Sequence, residues 1–484
     1  MTVRTPKRLA LGFVAALALI AAGCGGGPAG SSEPGGAAPL VRADALGYVS
    51  VDTDLGSSQW KQVDELSKKF SGRALALDTL QAALTKHGVD YEGDVKPALG
   101  PEVDVAVVSA GTADTTKVVA LTKPDDPSRL KALVAKLNAK DSSGKPAVYR
   151  EVGGWYALSD SQAAIDLALA GDGASLADDS TFTDAFAKLP TEALVKAYVN
   201  GHQLSGLITN AAKKSGNPLG GQYAQLAKLD SLSASVTAEN DGVRVEGAVK
   251  GSGAGDLVGG GNYDSKLLEN APGDALAFLS FRGGKGLASS LQGVGLPLEL
   301  ALGISPDDLA ALLENEVGVY VRPGIGIPEI TLAVDSSDVQ SGLATLDKLA
   351  TKLAGLSGGK LSSSGDDKTL TLDGVAIHYG SADGKIVITN AATGVAGYGT
   401  SGEKLADSAD FREAKSAAGM PDSNGGFLYV DLKDAIPMLL GLAGLSGHQP
   451  SPVVTENLRP LRSLLAWSEG SGDTRTFDLF LEIK

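Results

Sequence analysis

The sequence predicts an α+β protein made of two similar lobes, a tandem duplication in which each lobe is a mostly antiparallel sheet packed by helices. Three observations carry this reading. First, the stretch 176–200 has a second copy. Leu176-Ala177-Asp178 recurs as Leu405-Ala406-Asp407, Phe182 as Phe411 and Tyr198 as Tyr429, at offsets of 229 to 231. Second, strand patterns are joined by turn signals in some places and by helical periodicity in others, which favours α+β over a regular parallel βαβ rhythm. Third, a Gly-rich run at 251–261 separates the copies, as a boundary linker does.

Composition bounds the rest. At 484 residues the chain exceeds one ordinary core, so two or three domains are expected. Hydrophobic residues make up 43% and aromatics 5%, so the cores must be built mainly from Leu, Val and Ala. The formal charge is −15, with no basic cluster beyond the N-terminus, which argues against nucleic acid and anionic head groups as partners. Cys24 is the single cysteine. A disulfide framework and a zinc site of several thiolates are therefore excluded.

In chain order, Arg4, Lys7 and Arg8 precede an apolar run at 9–22. That run is short for a membrane span and fits a signal-peptide core. It ends in Ile20-Ala21-Ala22-Gly23-Cys24, which resembles the lipobox of bacterial lipoproteins, with Ala21 where that motif usually has Leu. The resemblance implies cleavage before Cys24 and lipidation of its thiol, with acyl chains such as palmitate. Two such chains suffice for stable anchoring. The expected organisation is a signal peptide at 1–23, a flexible tether at 24–40, a first repeat at 41–250, a linker at 251–262 and a second repeat at 263–484. The tether is Gly-, Pro- and Ser-rich and buries too little to offset the entropy of folding.

Each half opens on a strand. Asp44-Ala45-Leu46 leads into one through Val51, and Asp274-Ala275-Leu276 into one through Phe281, at an offset of 230. Trp60, Val63, Leu66 and Phe70 mark one helix face, and Leu75, Leu77, Leu80, Ala83 and Leu84 suggest a second helix. Its echo is a shorter region through Leu287, Leu291, Leu298 and Leu302. Alternating strands follow at 102–107 and 316–321, then strands at 118–121 and 330–334. A helix comes next (Leu130, Leu133, Val134 and Leu137; Leu343, Leu346, Leu349 and Leu353), and two strands after it. Each half closes in a hairpin, the first around Asn240-Asp241-Gly242, a favoured turn sequence.

The ordered set Asp44-Ala45-Leu46, Asp94-Val95-Lys96-Pro97-Ala98-Leu99-Gly100 before Glu102-Val103, and Leu176-Ala177-Asp178 with Phe182, plus their second copies, resembles the family catalogued as domain of unknown function 3352. The resemblance covers roughly 41–484. It implies an actinobacterial lipoprotein or related envelope protein, and transfers no catalytic residue.

Motifs for chemistry are weak. Among His87, His202, His378 and His448 no two stand at metal-ligand spacing. Gly355-Leu356-Ser357-Gly358-Gly359 matches GxSxG but follows a helix, whereas a nucleophile elbow needs a preceding strand. GxGxxG occurs at Gly25, Gly27 and Gly30 and again at Gly397, Gly399 and Gly402, without the strand–turn–helix context of a dinucleotide site. Asp52 with Asp54, and Asp125 with Asp126, read as strand-end and cap residues rather than calcium ligands. Asp179 or Ser180 can cap the helix carrying Phe182 and Phe186, and Trp60, Trp155 and Trp467 read as core. The expected function is that of an exported, lipid-anchored binding or scaffolding module on the extracytoplasmic face of the cell membrane. No enzyme activity, cofactor, metal or catalytic residue is expected, and Cys24 is the one modified site expected. A protein or apolar small molecule would be its ligand. The alternatives are a carrier of an apolar ligand or lipid and an envelope hydrolase.

Overall fold

The computed structural model describes residues 36–86, 88–109, 115–140, 146–215, 226–252, 254–255, 261–283, 305–400, 402–445, 447 and 450–484. The chain divides into two compact units: Met1–Asn217, Leu229–Ala248 and Pro452–Pro460 form the first, and Pro218–Lys228, Val249–Ser451 and Leu461–Lys484 the second. The fold is mixed α+β, and every strand pairing described below is antiparallel.

The first unit runs β1 (Gly47–Asp52), α1 (Ser58–Lys68), α2 (Arg73–Lys86), β2 (Glu102–Val108), β3 (Lys117–Thr122), α3 (Pro127–Lys140), β4 (Val148–Val152), β5 (Trp155–Ser159), α4 (Gln162–Ala168), α5 (Ser180–Phe186), β6 (Val195–Asn200), α6 (Gly201–Ser215) and β7 (Leu229–Glu239). Asn240-Asp241 then turns the chain into β8 (Gly242–Gly251). The sheet order is β4-β5-β3-β2-β1-β6-β7. Period-2 alternation decides which side chain meets which layer. Tyr48, Ala106, Val119, Leu121 and Tyr198 face α4 and α5. There Phe182 packs edge-on against Tyr48 at 5.5 Å and Tyr198 at 5.1 Å, and stacks on Phe186 at 4.7 Å. Val103, Tyr156 and Leu158 face the other way and pack against Leu130, Leu133 and Val134 of α3.

The second unit runs β9 (Tyr263–Asp264), β10 (Ala277–Arg282), α7 (Pro306–Leu312), β11 (Glu316–Arg322), β12 (Glu329–Val334), α8 (Val339–Ser357), β13 (Lys360–Ser364), β14 (Asp367–Leu372), β15 (Val375–Ala382), β16 (Lys385–Thr389), α9 (Ala409–Ala418), β17 (Ser423–Asn424), β18 (Gly426–Asp431), α10 (Leu432–Leu445), β19 (Leu461–Ser471) and β20 (Thr474–Ile483). The helix α11 (Pro452–Leu458) groups with the first unit. The sheet order is β13-β14-β15-β16-β12-β11-β10-β18-β19-β20. From β15 to β19 this connectivity repeats the first unit's order strand for strand. The hairpin β13–β14 is an addition: two strands were expected after the helix, and here there are four. Phe278, Tyr320, Ala333, Val387, Phe411, Phe427 and Tyr429 share one core, and α8 covers Val317, Val334 and Ile386 on the opposite face.

Two boundaries differ from expectation. The tether was placed at 24–40, but Ala37 and Ala38 are buried, and a 3-10 turn spans Ala38–Leu40. The Ala37 amide donates to Asp104 Oδ2 at 2.9 Å, and Ala170 N–H donates to Leu40 O at 2.8 Å. Residues 36–40 are therefore a strap of the first unit, built from small side chains that fit against a packed core. The linker was placed at 251–262, but Gly251 ends β8 and donates its amide to Asp473 O at 2.8 Å, and Ala254 is fully buried.

Candidate functional site

A concave site among the described residues lies in the second unit, where β18, β19 and β20 end beside the first turns of α9 and α10. Strand alternation puts Asp431, Ser463 and Glu482 on one face of three adjacent strands, as the Asp431–Ser463 register shows directly. All three are buried. Above them is a cleft of about 350 Å³ lined by Asp410, Glu413, Lys433, Arg462 and Lys484, with Tyr429 at its inner wall.

Local chemistry explains most of these positions. Asp431 stands just before α10, and its Oδ1 accepts the Asp434 amide at 3.2 Å, an N-cap interaction. Asp434 and Asp410 occupy the first turns of α10 and α9, where the helix dipole favours carboxylates. Lys433 Nζ donates to both Asp410 oxygens, at 3.0 and 2.9 Å. Ser463 Oγ donates to Glu482 Oε2 at 2.7 Å. Lys484 Nζ stands 2.8 Å from Glu482 Oε1 and pairs with Glu413.

The electrostatics are those of a crowded, partly dry site. Burial pushes the Asp431 carboxyl above the usual range, and the Asp434 and Asp410 carboxylates push it the same way. Burial also raises the Tyr429 hydroxyl. Lys433 is raised chiefly by its bond to Asp410, and Lys484 by its bonds to Glu413 and Glu482. The carboxylates of Asp410, Asp431 and Asp434 each offer an oxygen within 4.8 Å of the others, the donor type a hard cation takes. The Lys433 ammonium already holds Asp410, so the same carboxylates also form a charge-compensated network without a metal.

The candidates from the sequence lie elsewhere. Cys24, His87, His448 and the glycines at 25, 27 and 30 are outside the described residues. His202 is exposed on α6, 3.9 Å from Asp230. His378 Nδ1 lies 3.2 Å from both Asp367 Oδ1 and Thr369 Oγ1. Those two groups share one ring nitrogen, so the trio lacks the relay order of a catalytic triad. Ser357 ends α8, and its hydroxyl donates to Leu353 O at 2.6 Å. Gly397 closes a 3-10 turn after β16. Asp52 accepts from Asp54 N–H at 2.9 Å and Ser57 Oγ at 2.6 Å, and Asp126 caps α3 through Ser128. Asp179 caps α5 by accepting the Thr181 amide. Trp60 and Trp467 are buried; Trp155 is half-buried.

Asp410, Asp431, Lys433, Glu482 and Lys484 escaped the sequence reading. The local signal available was Asp431 followed three residues later by Asp434 at a strand–helix junction, which marks a cap and nothing more.

The family model described as a protein of unknown function, DUF3352, matches residues 161–483. The chain belongs to this family. No curated protein matches it. Among solved structures it is similar to crystal forms I, III and IV of TP0453, at 10% identity in each case. Form I gives a TM-score of 0.22 over 46% of this chain and 80% of that one, and form III gives 0.22 over 44% and 78%. Form IV gives 0.21 over 44% and 81%. Among the described residues of this DUF3352 protein, no helix is long and apolar enough to cross a membrane.

Proposed function

We propose that this chain is an exported binding module, held at the outer face of the cell membrane by lipid on Cys24, and that it arose by duplication of one α+β unit. The observation that carries the binding role is the cleft over Asp431, Ser463 and Glu482. Its volume is within the range of small-molecule sites, though its walls are charged rather than apolar. A positive group on the ligand would favour the charged form of the Asp431 carboxyl, which burial first and the Asp434 and Asp410 charges second hold above the usual range. Arg462 at the rim would meet a negative group at its other end, since Lys433 already holds Asp410 and Lys484 holds Glu413 and Glu482. The ligand class is therefore a small zwitterion, and this site gives no support to an apolar carrier.

The repeated strand order supports the duplication. So does the match between Ser50 Oγ donating to Glu102 Oε1 at 2.7 Å and Ser280 Oγ donating to Glu316 Oε1 at 2.8 Å. On this reading the repeats span 41–250 and 263–484, with the strap 36–40 added to the first.

The binding claim is tested by titrating the purified protein calorimetrically with a panel of amino acids and amino alcohols. A member should bind, and Asp431→Asn should weaken it at least tenfold without moving the unfolding midpoint downward. A panel without binding, or binding indifferent to Asp431, would remove the cleft from the account.

A further inference from the structure

Tyr429 is 1% exposed, yet it lines the cleft over Asp431. Its ring is held edge-on to Phe411 at 5.1 Å. Among the described residues, none shares a hydrogen bond with its hydroxyl. A buried hydroxyl normally has a partner, and one without calls for an explanation. Burial first, and then the charges of Asp431, Asp410, Glu482 and Asp434, hold its proton on. The hydroxyl is therefore a donor at the inner wall of the cleft, set among carboxylates and bonded to none of them.

The first unit carries the same frame in a closed form. Phe182 meets Tyr198 edge-on, also at 5.1 Å. Asn200 lies opposite Ser231 as Asp431 lies opposite Ser463. Each caps the helix that follows by accepting an amide at 3.2 Å, from Gln203 and Asp434 respectively. Asn200 is neutral, however, and Asp230 stands where the second unit has Arg462. Tyr198 Oη is sealed from solvent without a partner. This copy offers a ligand neither the Asp431 charge nor an open hydroxyl.

We propose that Tyr429 selects the ligand of the cleft: its hydroxyl donates to an oxygen held on the carbon next to the one bearing the ammonium, so the ligand is an α-amino acid, bound once per chain. The proposal rests on the zwitterion site argued above. Tyr429 and Asp431 are alternate residues of β18 on one face, about 7 Å apart along the strand. Of the charges acting on the hydroxyl, that of Asp431 is foremost. A ligand whose ammonium meets Asp431 therefore brings to Tyr429 the atoms two or three bonds from its nitrogen. In an α-amino acid these include the carboxylate oxygens, one to accept from Tyr429 and the other to turn toward Arg462. In a γ-amino acid the same place holds methylene groups, and the covered hydroxyl is left unpaired. Leaving such a donor unmatched is what makes a polar site reject a near-isostere.

The test sets α-aminobutanoate against γ-aminobutanoate, isomers of equal charge, by calorimetric titration of the whole chain. The α isomer should bind at least tenfold more tightly, at one per chain. Tyr429→Phe keeps the ring packed on Phe411 and should bring the α isomer down to the affinity of the γ isomer. Since the hydroxyl has no protein partner to lose, the unfolding midpoint should not fall. Equal affinity for the two isomers, with both lost in Asp431→Asn, would overturn the role of Tyr429 and leave the cleft standing. A preference that survives in Tyr429→Phe would overturn it as well, and two ligands per chain would contradict the closed first copy. Binding of neither isomer would remove the zwitterion site and this proposal with it.

Discussion

Ser280 Oγ donates a hydrogen bond of 2.8 Å to Glu316 Oε1 inside the second unit, at the point where β10 and β11 lie side by side. The same carboxylate accepts the Lys266 amide at 2.8 Å and the Leu267 amide at 3.3 Å, and a bond from Ser265 Oγ. It thus caps the 3-10 turn Leu267–Glu269 from below. Asp104 performs the matching task for the strap at Ala37. Glu316→Ala would strand several buried donors, each costing about 1–3 kcal/mol. A total loss of about 3–4 kcal/mol is expected, and Glu316→Gln, which keeps an acceptor, should lose about half. Urea midpoints at constant m-value measure both; equal losses would mean that the acceptor geometry does not matter.

Asp52 should give the first unit a pH-dependent stability. Burial is the main cause that holds its carboxyl at about 6, against about 3.9 in an unfolded chain. The folded state therefore binds the proton more tightly. The stability so contributed is present below about pH 4 and is lost as pH rises to 6. Burial and the Glu102 charge raise Asp104 in the same sense. The stability of Asp52→Asn relative to the parent should grow between pH 4 and 6 and level off above. A pH-independent difference would contradict the assignment.

Gly201, at the start of α6, is required by close approach. An alanine Cβ there would lie 2.1 Å from the carbonyl oxygen of Leu229, which is backbone and has little room to move. Helix propensity alone would favour alanine by about 1 kcal/mol. Overpacking costs about 1–3 kcal/mol and often more against backbone. Gly201→Ala should therefore destabilise by about 2 kcal/mol, read as a lowered thermal midpoint; a stabilised variant would show that α6 shifts freely.

The Asp410–Lys433 pair should matter little for stability. Their side chains are 51% and 37% exposed, so solvent screens the attraction. A double-mutant cycle with Asp410→Asn and Lys433→Met should return about 0.5 kcal/mol or less. A coupling of several kcal/mol would mean that the cleft is drier than its exposure indicates.

Alternating strands and capped helices were legible because their signals are local. Val103, Val105 and Val107 alternate with Glu102, Asp104 and Ala106, and Asp179 precedes α5 as a cap. The same alternation concealed the buried carboxylates, since Glu102, Asp104 and Glu316 sit where a solvent-facing residue would. Only the tertiary layer above them makes those positions interior. The hairpin β13–β14 was missed because Ser362, Ser363 and Ser364 carry no apolar period; all five residues of β13 are exposed. The cleft was missed because its residues come from separate elements spread from Asp410 to Lys484, and no spacing rule joins them. The strap at 36–40 looked like linker because Ala and Pro bury well but announce nothing.

Whether the chain is a lipid-anchored envelope protein is decided by the mass of its processed N-terminus. The mature chain should begin at Cys24, carry a diacylglyceryl group on sulfur and partition with membranes, and a Cys24→Ser variant should appear in the medium. A mature chain with an unmodified cysteine, or a Cys24→Ser variant that stays with the membrane fraction, would contradict it.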